Sequence, residues 1–120
     1  MKIYFKSSDS NGNKISFLST AKIDESNIKF KDMSSNNTFI SLIKYNDKLV
    51  FERTGDIYTK LEFILNKKTQ ANYKNMLGLE FDFTILTTNL VIFEDKIDIS
   101  YTMFLDGDMI SNHQISILMK

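Results

Sequence analysis

The chain contains no cysteine, no proline and no tryptophan, and it has one histidine and four glycines. Without cysteine there is neither a disulfide framework nor a thiolate metal site. With one histidine, oxygen ligands are all that remain for a metal, and no calcium-loop spacing is present, so no metal or cofactor is expected. The glycines are scattered through turn-like stretches, which excludes a glycine-rich phosphate cradle. Net charge of one sign is also missing: fifteen basic residues balance fifteen acidic ones, so no overall field draws the chain to nucleic acid or to an anionic membrane. The longest apolar stretches, such as Leu90 to Phe93, fall far short of the roughly 20 residues of a spanning helix. No charged-then-apolar leader opens the sequence, and a cytoplasmic location is expected.

What is present is the composition of one globular domain. At 120 residues the chain has room for a single core, and 42% hydrophobic with 25% charged residues lies outside the disordered regime. Lysine, asparagine and isoleucine are abundant, as in coding from an AT-rich genome, so counts of Lys or Asn carry little functional meaning. The lone arginine, Arg53, stands out against that background.

Apolar and polar residues alternate through nearly the whole length, the period of half-buried strands. Lys2 to Ser7, Lys14 to Ala21, Asn27 to Lys31, Thr38 to Tyr45, Leu49 to Thr54 and Ile57 to Leu65 read as strands. Leu79 to Thr87, Lys96 to Leu105 and Met109 to Met119 continue the series. Thr69 to Leu77 is kept as a strand although Tyr73 and Leu77 also fit a helical turn, and Leu90 to Phe93 either extends its predecessor or pairs separately. Asn11-Gly12, Gly55-Asp56 and Asp106-Gly107-Asp108 are turn signals between them. Consecutive hairpins without long crossovers, and the need to hide sheet edges, predict one all-β domain over residues 1–120: a closed antiparallel up-and-down β-barrel of about 8–10 strands.

Arg53-Thr54-Gly55 at a strand end, Gly78-Leu79-Glu80-Phe81 opening another, and Ile99 to Met103 before a final strand ending Ile115-Ser116-Ile117 resemble the YwiB-like family of uncharacterised bacterial proteins. The resemblance runs from about Lys14 to Met119, with a shortened middle between Thr38 and Leu49. It implies a calycin-like (lipocalin-like) barrel and carries over no catalytic residue. Calycin folds elsewhere often hold small apolar or amphipathic molecules, an analogy that does not itself license a function.

Read residue by residue, Arg53 shares the inward phase of Leu49 and Phe51. A charge there needs a partner: it either caps the barrel end structurally or receives a ligand's carboxylate or phosphate. Tyr101 follows Ile97 and Ile99, Tyr45 follows Ile43, and Tyr73 precedes the Gly78 turn, so each offers a hydroxyl at the end of an apolar ring. His113 lies in phase with Met109, Ile115, Ile117 and Met119, better placed as a structural or mouth-facing ring than as a general base. Met103, Met109 and Met119 read as apolar filling. Glu80 and Asp82 lie opposite the Phe81 and Phe83 phase and should be solvated.

Three functions follow. The first is a non-enzymatic barrel holding a small amphipathic or anionic molecule, with Arg53 as anchor and Tyr101, His113, Tyr45 and Tyr73 around it. The second is a structural or protein-interaction domain with a filled core, acting through its surface or as an oligomer such as a homodimer. The third, ranked last, is a hydrolytic enzyme using His113. Neither a nucleic-acid nor a membrane partner is expected.

Overall fold

The alternation closes into a cylinder. The computed structural model describes all of residues 1–120 and holds ten strands: β1 (Lys2–Asp9), β2 (Lys14–Asp24), β3 (Asn27–Lys31), β4 (Thr38–Lys44), β5 (Leu49–Gly55), β6 (Ile57–Phe63), β7 (Lys68–Asn75), β8 (Glu80–Ile92), β9 (Lys96–Leu105) and β10 (Asp108–Met119). Each pairs antiparallel with its sequence neighbours, and β1 closes on β10 through Ile3 opposite Met119 and Asp9 opposite His113. This is a closed up-and-down barrel, as the sequence predicts, and closure leaves no strand edge free. No helix of the chain is long and apolar enough to cross a membrane.

The two stretches whose sequence fits more than one reading are both strand. Lys68 to Asn75 is β7, stopped where the Asn75 side chain accepts the N–H of Leu77 and of Leu79 at 3.0 and 3.1 Å, an Asx-type turn. Leu90 belongs to β8 itself, which reaches Ile92 because a register shift between Thr87 and Asn89 bends it around the cylinder. The Asp106-Gly107 pair has φ of 52° and 84°, the two positive values that a tight hairpin turn requires.

Up-and-down connection places the β1–β2, β3–β4, β5–β6, β7–β8 and β9–β10 turns at one end. The other four turns and both termini lie at the opposite end. That second end is packed solid: Ile3, Leu49, Phe63, Ile97 and Ile117 are all at 0% exposure. Each such side chain contributes about 1.5–3 kcal/mol by burial. Ile97→Val, which removes one methylene from this layer, is expected to lower unfolding free energy by about 0.5–1.5 kcal/mol, read from the urea midpoint at unchanged slope.

Two residues depart from the expected phase. Tyr45 is 52% exposed and lies outside the barrel, because the buried members of β4 are Thr38, Ile40 and Leu42, which turns Ile43 and the residue two beyond it outward. The adjacent Leu42-Ile43 pair makes either phase readable from the sequence, and only pairing against β3 and β5 chooses. Met109 is 65% exposed, since the register shift between Met109 and Ser111 rotates it off the inward face that Ser111, Ile115, Ile117 and Met119 share.

Candidate functional site

At the first end the interior is not filled. A cavity of about 260 Å³ opens there, and ten of its eighteen lining residues are hydrophobic. Phe5, Phe51, Leu61, Phe83, Met103 and Ile115 supply apolar wall, while Arg53, Thr59, Tyr101, Asp9 and His113 bring polar groups to it. Larger hollows exist on the outer surface, across β8, β9, β10, β1 and β2 and across β6 to β8, but they are shallow and lined mainly by polar side chains. Burial of apolar wall beside converging polar groups distinguishes the interior site.

Arg53 points inward, in phase with Leu49 and Phe51 on β5 as its spacing requires. Its Nε lies 3.1 Å from Asp32 Oδ2, with the Asp32 side chain fully buried and the Arg53 side chain 21% exposed. The Nε and Oδ2 atoms are close enough for an ion pair but not aligned for a hydrogen bond, and both are buried. The other carboxylate oxygen, Oδ1, accepts the N–H and the hydroxyl of Ser34. Asp32 is thereby fixed by its own loop, and it holds one edge of the guanidinium. Since Nε is buried while the side chain lines the cavity, the accessible part of the guanidinium is its Nη end. Phe51 supports the group from below, its ring centroid 5.9 Å from Cζ.

The β3–β4 loop that carries Asp32 is pinned by contact with the β5–β6 turn. Gly55, at φ 114°, packs directly on Asn37, and the Asp56 N–H donates to the Asn37 carbonyl at 3.2 Å. Thr38, fully buried, returns its hydroxyl to the Asn36 carbonyl at 2.9 Å.

Across the cavity, Tyr101 on β9 and His113 on β10 are cross-strand partners with rings stacked at 4.8 Å and 6°. Burial pushes the Tyr101 hydroxyl well above its ordinary value, with Arg53 pulling it partly back. His113 Nε2 shares a 2.6 Å hydrogen bond with the Ser111 hydroxyl. Burial also holds the imidazole below its ordinary value, opposed by the charge of Asp9 on the paired strand. Tyr73 joins the same end, its ring 5.1 Å from Phe81. The structure therefore brings Arg53, Tyr101, His113 and Tyr73 together and leaves Tyr45 outside, beneath Lys48 at 5.2 Å.

The buried rings give a pH signature. Because burial favours neutral His113, the unfolded chain takes up a proton before the folded one as pH falls. Stability is expected to drop from the unfolded value of 6.5 down to the lower folded value, below which both states carry the proton. At the alkaline side the unfolded chain loses the Tyr101 proton first, so stability falls again above 10.0. Urea unfolding at stepped pH checks both: His113→Gln should flatten the acidic limb and Tyr101→Phe the alkaline one.

Ser111, His113 and Asp9 are residue types of a nucleophile relay. The geometry stops short of one. Asp9 accepts from the Asn11 N–H, the Asn13 N–H and the Asn13 side-chain amide and makes no hydrogen bond to His113, and the contact with Asn13 is the main reason its acidity is raised. Ser111 is 4% exposed and is not part of the cavity wall.

Asp32 escapes a reading of charge motifs, yet its signal is in the sequence: it continues the inward phase of Ile28 and Phe30. Asp9 likewise continues Ile3 and Phe5. Glu80 and Asp82 are solvated as expected, the first 3.5 Å from Lys74 Nζ and the second accepting from Asn72.

Residues 5–117 match the family described as Domain of unknown function (DUF1934). The chain belongs to the DUF1934 family. A crystal structure of the ywiB protein from Bacillus subtilis superposes with a TM-score of 0.66 at 16% identity, covering 99% of this chain and 90% of that one. At that identity the likeness shows a shared fold, in agreement with the YwiB-like resemblance of the sequence. No curated protein matches the chain. Within this DUF1934 barrel the open end, with its buried Asp32–Arg53 pair, is the candidate site.

Proposed function

We propose that this barrel is a cytoplasmic, non-enzymatic binding protein that holds a small amphipathic or anionic molecule in its open end, with Arg53 as the polar anchor. The observation that carries the reading is a largely apolar, unfilled cavity of about 260 Å³ into which the single arginine presents its outer edge while its inner edge is held by Asp32. A guanidinium so fixed loses little side-chain freedom when it accepts a carboxylate or phosphate. His113, Tyr101 and Tyr73 would border the bound molecule. Native mass spectrometry of protein purified from its own host is the direct test. A bound small molecule that disappears in the Arg53→Lys variant, which keeps the charge but not the fork, is the expected result. A ligand-free spectrum for the parent, with Arg53→Lys melting at the same temperature, would overturn the proposal.

A second reading, an interaction domain acting through its surface or as a homodimer, is favoured by Met76 and Leu77 on the β7–β8 turn, which are 73% and 93% exposed. Under it, Met76→Ser with Leu77→Ser would abolish a self-association visible by light scattering and leave the cavity untouched.

A further inference from the structure

We infer that the cavity selects a compact, flat, singly charged acid, an aromatic or heteroaromatic carboxylate, over a lipid or a phosphate; this rests on the binding reading above. Three observations lead there. The first is size. A cavity of about 260 Å³ lies below the roughly 300–1,000 Å³ of ordinary ligand sites, so the part of a ligand it encloses is small. A long alkyl tail cannot run on along the barrel axis, because the opposite end is packed solid, and would have to leave through the open mouth into water, where its burial is lost.

The second observation is the wall. Phe5, Phe51, Phe81, Phe83, Tyr73 and Tyr101 all contribute rings to it. The rings are arranged in contact series, with Tyr73 5.1 Å from Phe81, Phe81 5.8 Å from Phe83, and Tyr101 stacked on His113 at 4.8 Å. Such a wall offers both faces and edges, the complement of another flat ring, whereas a flexible alkyl chain gains from it only area. The third is charge. Asp32 already cancels the unit charge of Arg53, so what remains at the Nη end is a pair of N–H donors with little net field. Two parallel donors match the two oxygens of one carboxylate. A phosphate dianion would bring a second charge into a site also flanked by the Asp9 carboxylate. The Tyr101 hydroxyl, which burial keeps protonated, adds a third donor.

The test uses the full chain and five probes followed by two-dimensional NMR: 4-hydroxybenzoate, hexanoate of similar size, dodecanoate, benzylamine, and inorganic phosphate. The aromatic acid is expected to bind about tenfold more tightly than either alkyl acid, and benzylamine and phosphate more weakly still. Ring-current shifts should appear at the Met103 and Ile115 methyls. Arg53→Lys should weaken the aromatic acid about tenfold, and Thr59→Val, a cavity variant that leaves the ion pair intact, confirms the location if Arg53→Lys proves unfolded. If hexanoate, dodecanoate or phosphate binds as well as the aromatic acid and depends on Arg53, the selectivity inferred here fails while anion binding stands. If no acid of any shape shifts the cavity methyls, the binding reading itself fails.

Discussion

Gly55→Ala is expected to cost about 3–5 kcal/mol of unfolding free energy, a large fraction of the roughly 5–15 kcal/mol that holds a domain together. Two effects add. At φ 114° an L-residue is strained wherever it sits. In addition, a Cβ on Gly55 would lie 1.8 Å from the Asn37 carbonyl oxygen and 2.9 Å from the Asn37 carbonyl carbon, which is backbone and cannot swing aside. Relief requires the β3–β4 loop to retreat, and that loop carries Asp32. Gly12→Ala is the control. Its φ of 90° is similar, but nothing stands within 4 Å of the added methyl, so only the conformational cost of about 1 kcal/mol remains. Denaturant melts of the two variants separate backbone strain from collision. Equal losses would mean that the loop yields freely and that Asn37 imposes no constraint.

The ion pair should respond asymmetrically to its two halves. Arg53→Met strands a carboxylate with no solvent exposure, and a cost of about 3–5 kcal/mol follows from leaving one buried charge uncompensated. Asp32→Asn keeps an oxygen to accept from Ser34 and leaves behind an arginine that is 21% exposed and can recruit water, so about 1–2 kcal/mol is expected. The double variant should be more stable than the sum of the single losses by about 2 kcal/mol, the coupling expected of residues in contact. Additive losses in that cycle would show that the 3.1 Å approach carries no energy. The experiment bears on function as well, because a stability cost from Arg53 must be known before a loss of binding in any Arg53 variant can be assigned to the ligand.

The residues of the site differ in how plainly the sequence carries their placement. Arg53 was visible because alternation from Leu49 and Phe51 runs uninterrupted to it. Tyr101, after Ile97 and Ile99, was visible for the same reason. The phase of Tyr45 is ambiguous in the sequence because adjacent apolar residues in β4 satisfy both faces, and that of Met109 is reset by a register shift midway along its strand. Asp32 carries the inward phase of Ile28 and Phe30, yet one acidic residue beyond a strand end reads equally as loop until its partner is known.

Sequence alone determined the strands, the turns and the closed barrel, because period-two alternation and positive-φ turn residues are local properties, written within a few positions of one another. It also placed Arg53 on the inner face. The tertiary structure decided which end of the cylinder stays open, that Asp32 from β3's end meets Arg53 from β5, and that Tyr101 and His113 stack on one wall with Ser111 bonded behind the imidazole. Those juxtapositions depend on register and shear summed around ten strands, and no local pattern along the chain encodes that sum.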